Sequence, residues 1–496
     1  MNNTDFKLPQ SISLWQSLVV IFALLLGGCI AILPIEYSAV VVILGVIGVL
    51  SAITPFSALA LALIIAPLRT LIQTESAIQL PLDVGQIGAI FFVGAWVAHA
   101  IIHKRRLGQF LYSPLYPPII IFTLVAGLGV FYAPSLGSWL TEWLKWVLIL
   151  VLIVLITLAC RYNRRWEWVL FALIGAGAGQ AIVGLYTFVG GSGADHLRIF
   201  PDRGFFRAFG SFGQPNPFGG FMGLLAPLAI MAMVGYGNRT WHLWRKNPKL
   251  AQITLFACGF YGLASTLMSI ALIASWSRGA WLGLGVALLV VVVAYPRKLW
   301  QGLGLLGVVL AVVGMMWLSG RLPVSLTDRI ASATQDLFAL TDVRGVDINP
   351  DNYAIIERLA HWQAALNMSR QNAWLGVGFG NYEATYESYR LINWKFSLGH
   401  AHNYYLNVFA ETGIIGLVAY IGVLISLLVI TWQTRRHPDP LARTIAIGLL
   451  GSWVYLATHS MTDNLYVNNV FIHFGVMIGI LAIINHPLIR VKVITP

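Results

Sequence analysis

The sequence predicts an all-α polytopic membrane protein with about fourteen transmembrane helices (12–14) and a large, partly helical loop outside the membrane. Three observations carry this. Hydrophobic residues are 58% of the chain and charged residues only 10%, where a soluble domain holds about 25% charged. The apolar residues gather into runs of membrane-spanning length, too long for barrel strands, and a chain in lipid must satisfy its own backbone hydrogen bonds. Basic residues collect in alternate connections between those runs, as the positive-inside rule requires.

The apolar segments cover approximately 14–33, 38–53, 55–72, 83–102, 116–132, 139–160, 166–189, 216–236, 253–276, 279–296, 300–318, 404–432, 443–459 and 467–485. Pro67 interrupts the third, which is therefore expected to tilt or re-enter. With both termini cytoplasmic, the inner connections hold Lys104-Arg105-Arg106, Arg164-Arg165, Arg245-Lys246, Arg297-Lys298 and Arg435-Arg436. The inside then has roughly 18 of the 31 basic residues and about 3 of the 19 acidic ones. The formal charge of +12 is accordingly a matter of topology and anionic lipid, not of nucleic acid.

Cys29, Cys160 and Cys258 lie scattered in apolar segments, which argues against a disulfide framework or a zinc site. Leu26-Gly27-Gly28-Cys29 resembles a lipoprotein cleavage box. The apolar run continues through Ile32, however, as a membrane helix would.

Four parts follow from this pattern: N-terminal membrane helices over 1–200, further helices over 201–318, an outer loop over 319–402, and C-terminal helices over 403–496. The loop carries 8 acidic and 7 basic side chains, and loops this long are usually functional or contain structure of their own. In 355–366 the apolar positions 355, 359, 362 and 366 recur at helical spacing, with Arg358 beside the seam near Trp362 and Ala365. The Gly376-Val377-Gly378-Phe379-Gly380-Asn381 stretch has no βα unit around it and reads as a tight turn, not a nucleotide fingerprint.

His400-Ala401-His402-Asn403 then opens a long apolar run. If one helix runs from His402, Gly413 falls within about 20° of it and Gly416 within about 40°, so an imidazole would sit above two notches open to a helix or a lipid chain. Glu411 would lie on the opposite face. Arginines mark other outer edges: Arg278 between Trp276 and Trp281, Arg207 ahead of Gln214-Pro215-Asn216-Pro217, and Asp463 four residues after His459 adds a carboxylate.

Polar groups at a membrane edge are costly unless they have a use. A histidine can act as general base at neutral pH, and arginines fork onto the oxygens of a pyrophosphate leaving group. Together they suit transfer of a group from a lipid-anchored pyrophosphate to a hydroxyl, with His402 taking the proton while Arg278 and Arg358 stabilise the leaving charge. No cofactor is called for. His400 and His402 could face one zinc ion, but no third ligand is evident in the sequence, so the expectation is metal-independent.

His402-Asn403, nine residues, Gly413, two residues and Gly416 reproduce the His-[Asn/Ser/Gln]-x9-Gly-x-x-[Gly/Thr/Tyr] signature of the O-antigen ligase and polymerase superfamily. Ser277–Leu282, Gly376–Tyr382 and Arg207–Phe218 also resemble its blocks, so the resemblance covers roughly residues 200–465. It implies an all-helical glycosyltransferase of the bacterial cytoplasmic membrane, acting at the outer face. The donor would be a glycan on undecaprenyl pyrophosphate, and the acceptor a membrane lipid or, in a polymerase, another repeat unit. The essential histidine and arginines of such ligases match His402, Arg278 and Arg358, and an acidic residue of the last helices matches Asp463. Arg207, Asn403, Gly413 and Gly416 are expected to line the substrate site. The helix count exceeds the usual twelve by two. A small-solute carrier of the bicarbonate type is the competing class. Carriers place ionisable groups near the midplane, whereas here they gather at the rim.

Overall fold

The computed structural model describes residues 55–75, 84–102, 112–160, 165–191, 195–199, 204–321, 342–349 and 352–486. The expected segments 14–33 and 38–53, with Cys29 and the cluster at 104–106, lie outside the described residues. Among the described residues there is no strand, only one isolated bridge between Arg198 and Phe206.

Among the described residues nine helices are long and apolar enough to cross a membrane, and three shorter apolar helices accompany them. These twelve coincide with the twelve predicted segments from 55 onward. In order they are α1 (Pro55–Ile65) continuing into α2 (Arg69–Glu75), α3 (Val84–Ile102), α4 (Tyr116–Gly127), α5 (Leu136–Cys160), α6 (Trp166–Phe188), α7 (Pro215–Leu243), α8 (Pro248–Ala274), α9 (Arg278–Ala294) and α10 (Leu299–Leu318). After the outer helices α11 (Tyr353–Gln371) and α12 (Tyr382–Tyr389) come α13 (Tyr404–Thr434), α14 (Pro440–His459) and α15 (Val470–Asn485). Pro67 does interrupt the first of them, as a 3-10 turn over Ala66–Leu68 between α1 and α2.

The helices begin where side chains can replace missing backbone partners. Asn247 accepts from the Leu250 amide, Asn403 from Leu406 and Asp439 from Ala442, each relieving one orphan donor of a first turn. Proline stands in the first turn of α4, α7, α8 and α14, where its missing N–H costs nothing.

Helix α7 is the central post, buried along most of its length. It packs between α8 and α14. Small residues permit this: a Cβ on Gly223 would stand 2.1 Å from the Tyr455 ring, and one on Gly235 2.2 Å from Thr444 Oγ1. α15, buried throughout, packs on α5 and α6. One apolar core runs from Ala58 to Ile484, so residues on both sides of position 200 build the same interior. By contrast α10 has only Gly302 buried and turns its apolar surface outward, as a helix facing lipid does.

The feature that positions the site is a break in α13. Gly413 has φ 64° and ψ −166°, a conformation essentially reserved for glycine. The break frees backbone groups, and the outer segment after α11 satisfies them. Val377 and Gly378 donate to the carbonyls of Ala410 and Glu411 (both 2.9 Å), while Ile414 and Ile415 donate to Ala373 and Trp374 (2.8 and 3.4 Å). The glycine-rich turn is thereby stitched into the kink. Gly376, Gly378 and Gly380 all have positive φ, and Gly376 lies so close that a Cβ would meet the Glu411 carbonyl carbon at 2.3 Å.

This corrects the sequence expectation. No single helical face carries His402 above Gly413 and Gly416, because His402 precedes the helix and Gly413 interrupts it. Nor are the glycines open notches: Gly413 faces the Trp374–Leu375 backbone, and the space at Gly416 is filled by Thr412. Glu411 is buried and accepts from the Tyr382 amide at 3.1 Å.

Candidate active site

The residues before α13 are held amide by amide. Ala401 donates to Asn407 Oδ1 (3.1 Å), His402 to His400 Nδ1 (3.1 Å) and Tyr404 to the Ser460 carbonyl (2.8 Å). Within this clamp His402 takes φ 51°, the left-handed region that costs a non-glycine residue of order 1–3 kcal/mol. Such a conformation persists only where its surroundings over-determine it. Asn403, expected at the substrate, instead caps α13 with its side-chain oxygen.

The clamped histidine faces a carboxylate. His402 Nδ1 lies 3.6 Å from Asp463 Oδ1, and His400 Nε2 lies 3.8 Å from the same oxygen. Asp463 is almost wholly buried, in the turn between α14 and α15. Burial alone would raise its pKa, yet the imidazoles that face it, His402 first, outweigh burial and hold the carboxyl well below the usual range. Asp463 is thus an anion that faces two imidazoles. A His402 ring protonated on Nδ1, toward Asp463, would leave Nε2 a lone pair for a proton.

A third imidazole stands behind. His361 of α11 is buried, its Nδ1 3.1 Å from the Tyr382 hydroxyl and its ring 5.0 Å from Tyr386 and 5.8 Å from His402. Burial, with help from His402 and His400, pushes His361 down to about 3. Burial and His402 push His400 down to about 4 against the pull of Asp463. Both stay neutral at physiological pH. An opened chain takes up protons below the ordinary imidazole value of about 6.5, which the folded site refuses until about 4. Stability should therefore fall as pH drops from about 6.5 to about 4. The fall in unfolding midpoint in detergent should be smaller in His400→Gln than in the wild type, and equal falls would count against buried neutral rings.

The arginines converge from other elements. Arg358, on α11, lines a small cleft with Ile355, Leu359, Trp362 and Thr462, near enough for its charge to act on His400. The buried face of α11 is wider than the predicted stripe: Ile356, Ala360, His361, Ala364, Ala365 and Met368 are buried while Leu366 is only partly so. Arg278 opens α9. The next residue, Gly279, abuts the turn that carries Asp463, since a Cβ there would meet Thr462 Oγ1 at 2.2 Å and His459 Nδ1 at 3.1 Å. Arg207 donates from Nε to the Ser275 carbonyl (3.1 Å) and from Nη2 to Asn216 Oδ1 (3.0 Å). It fastens the turn before Arg278 to the start of α7, so part of its hydrogen-bonding capacity is directed at the protein.

His402, Asp463, Arg358 and the Arg278 turn therefore meet at one end of the bundle. Sequence reasoning set His400 beside His402 only as a possible zinc pair and missed the position of His361 in this cluster; the signal available was a histidine at the centre of an apolar helix face. It also missed a third potential metal ligand, for His400, His402 and Asp463 place one donor atom each within 4.8 Å of one another. The hydrogen bonding opposes a cation there. His400 Nδ1 accepts the His402 amide, so the proton of its neutral ring sits on Nε2, the atom nearest Asp463, and that ring points no lone pair at the centre.

Residues 263–421, about a third of the chain, match the family model described as O-antigen ligase. The match includes Arg278, Arg358, His402, Asn403, Gly413 and Gly416; Arg207 and Asp463 fall outside it. No curated protein matches the chain.

Proposed function

We propose that this integral membrane protein, similar to the O-antigen ligase family over residues 263–421, transfers a glycan from undecaprenyl pyrophosphate to a hydroxyl of a lipid or glycan acceptor. The reaction takes place at the outer face of the bacterial cytoplasmic membrane. The observation that carries this reading is the Asp463–His402 pair, set in a clamped loop beside Arg358 and the Arg278 turn.

The acceptor oxygen attacks the anomeric carbon of the donor sugar and loses its proton to His402 Nε2. A new carbon–oxygen bond forms as the bond to the pyrophosphate oxygen breaks, and that oxygen leaves with the electron pair. Asp463 holds the ring and offsets the imidazolium charge. Arg278 and Arg358 take the charge gathering on the departing diphosphate, where a planar fork is worth more than a point cation. Arg207 keeps the Arg278 turn in place. The three arginines, His402 and Asp463 thus divide the work between leaving group and nucleophile, with no ion among the participants.

The test is reconstitution. The purified chain in lipid nanodiscs, given undecaprenyl-pyrophosphate-linked glycan and envelope glycolipid acceptor, should release undecaprenyl pyrophosphate and label the acceptor at the same rate with or without chelator. Absence of transfer would remove the reading. A chelator-sensitive rate restored by zinc would replace His402 as base with a metal centre built on His400, His402 and Asp463.

A further inference from the structure

Helix α7 spans 29 residues, and at about 1.5 Å per residue its last turn stands about 40 Å from its first. Arg207 grips Asn216 in the first turn, on the side of the histidine cluster. The last turn therefore marks the opposite end of the bundle, which the sequence expectation puts at the cytoplasmic leaflet. There the end of α7 and the start of α8 flank a cavity of about 710 Å³, within the size range of a ligand site. No residue of the proposed transferase site lines it.

The lining is basic and aromatic at once. Arg245 and Lys246 supply two cations, Trp241 and Trp244 two indoles, and the lining contains no carboxylate. No Asp or Glu occurs anywhere from Arg203 to Thr327, so these cations find no acid among their chain neighbours. Among the described residues the ion pairs of Lys and Arg fall on Lys145, Arg198, Arg239 and Arg344. Glu167, which meets α7 before its last turn, is engaged by Arg239 (3.3 Å) and the Tyr236 hydroxyl (2.8 Å). Positive charge thus stands open at the cavity, and an anion is its complement.

The surroundings say which anion. Trp241 is 83% exposed and Trp244 56%. Indoles left bare at the end of a membrane helix belong at headgroup level, where one edge meets hydrocarbon and the other water. From the cavity wall a stripe runs back along α8. Leu255, Gly259, Leu263 and Ile270 are all exposed, and their spacing sets them on one helix face within about 80°. A Cβ on Gly259 would have nothing within 4 Å, which leaves a notch in the stripe. A free phosphate has no use for such a track; a phosphate joined to acyl chains does. Basic pockets between membrane helices on the cytoplasmic side suit anionic headgroups for this reason.

We propose that this cavity holds the headgroup of an anionic phospholipid, with its phosphate at Arg245 and Lys246 and an acyl chain along the α8 stripe. The bound lipid fixes the far end of the central post in its leaflet. The proposal stands independently of the transferase reading.

Native mass spectrometry of the full chain in neutral detergent tests it, with phosphatidylglycerol and phosphatidylcholine of identical acyl chains as the probes. Phosphatidylglycerol should bind about tenfold or more tightly than phosphatidylcholine, a preference that two surface cations can supply. Arg245→Gln and Lys246→Gln together should bring the two lipids level; both side chains are exposed, so the fold is left standing. Gly259→Trp should weaken phosphatidylglycerol about tenfold or more while leaving both cations in place. Equal binding of the two lipids by the wild type, or a preference that survives the double substitution, overturns the proposal. A preference untouched by Gly259→Trp, or abolished by equimolar inorganic phosphate, overturns it too, because the site would then take an anion without its chains.

Discussion

His402→Ala should abolish measurable glycan transfer while leaving the protein in the membrane, and the lipid-linked donor should accumulate in cells. A positioned general base contributes about 10²–10⁴-fold, so the loss corresponds to about 3–5 kcal/mol of transition-state stabilisation. The position has a complication that the control must meet. His402 sits at φ 51°, and alanine tolerates the left-handed region less well than asparagine does. His402→Asn keeps the backbone comfortable and removes the base. Equal inactivity of both variants, with the Arg358 side of the site intact, identifies the imidazole as the lost element. Near wild-type turnover in His402→Asn would end its role as base.

Gly413→Ala should be the most damaging single-methyl change away from the histidines. Its Cβ would come within 2.2 Å of the carbonyl carbon and oxygen of Trp374, backbone atoms that cannot rotate aside. The residue's φ, ψ pair adds strain of order 1–3 kcal/mol. Four backbone hydrogen bonds cross the break, each worth about 1 kcal/mol, and pushing the two segments apart endangers all of them. The expected cost is about 4 kcal/mol or more, seen as a lower unfolding midpoint in detergent and reduced abundance in the membrane, with activity falling in parallel. Gly422→Ala is the matched control, on the same helix with nothing within 4 Å of its Cβ; it should be neutral. If the two variants unfold alike, the stitched kink does not hold the outer segment.

The kink also explains where sequence reasoning stopped. Counting 100° per residue from His402 assumes an unbroken helix, and the motif spacing His402 to Gly413 to Gly416 fits that assumption. What defeats it is a partner 33 to 41 positions earlier in the chain, the Ala373–Gly378 backbone, whose amides and carbonyls replace the helix's own. Spacing within a segment carries no record of hydrogen bonds made to another. Asn403 illustrates the opposite case. A residue type that favours N-caps, standing just before an apolar run, announces a cap, and its side chain is used as one. The same run of residues was legible as a helix start and illegible as a kink.

Asp463 and the metal question divide along the same line. The sequence offered two histidines with no evident third ligand; folding brought Asp463 from 61 positions beyond His402 to within 3.6 Å of its ring. The same folding bonds His400 Nδ1 to a backbone amide and so sets which nitrogen bears the proton. Tautomers answer to neighbours, and neighbours here are tertiary.

Composition and the periodic placement of apolar and basic residues determined the class of this protein, the positions of its described membrane helices and the presence of helix in its outer loop. These depend on local burial in lipid and on charge at the membrane edge, both written along the chain. Only the tertiary structure decided that His402 leans on Asp463, that Arg207 braces a turn, and that Gly413 is a docking point. Each of those depends on backbone and side chains meeting from distant segments at hydrogen-bond range, an arrangement that local spacing does not encode.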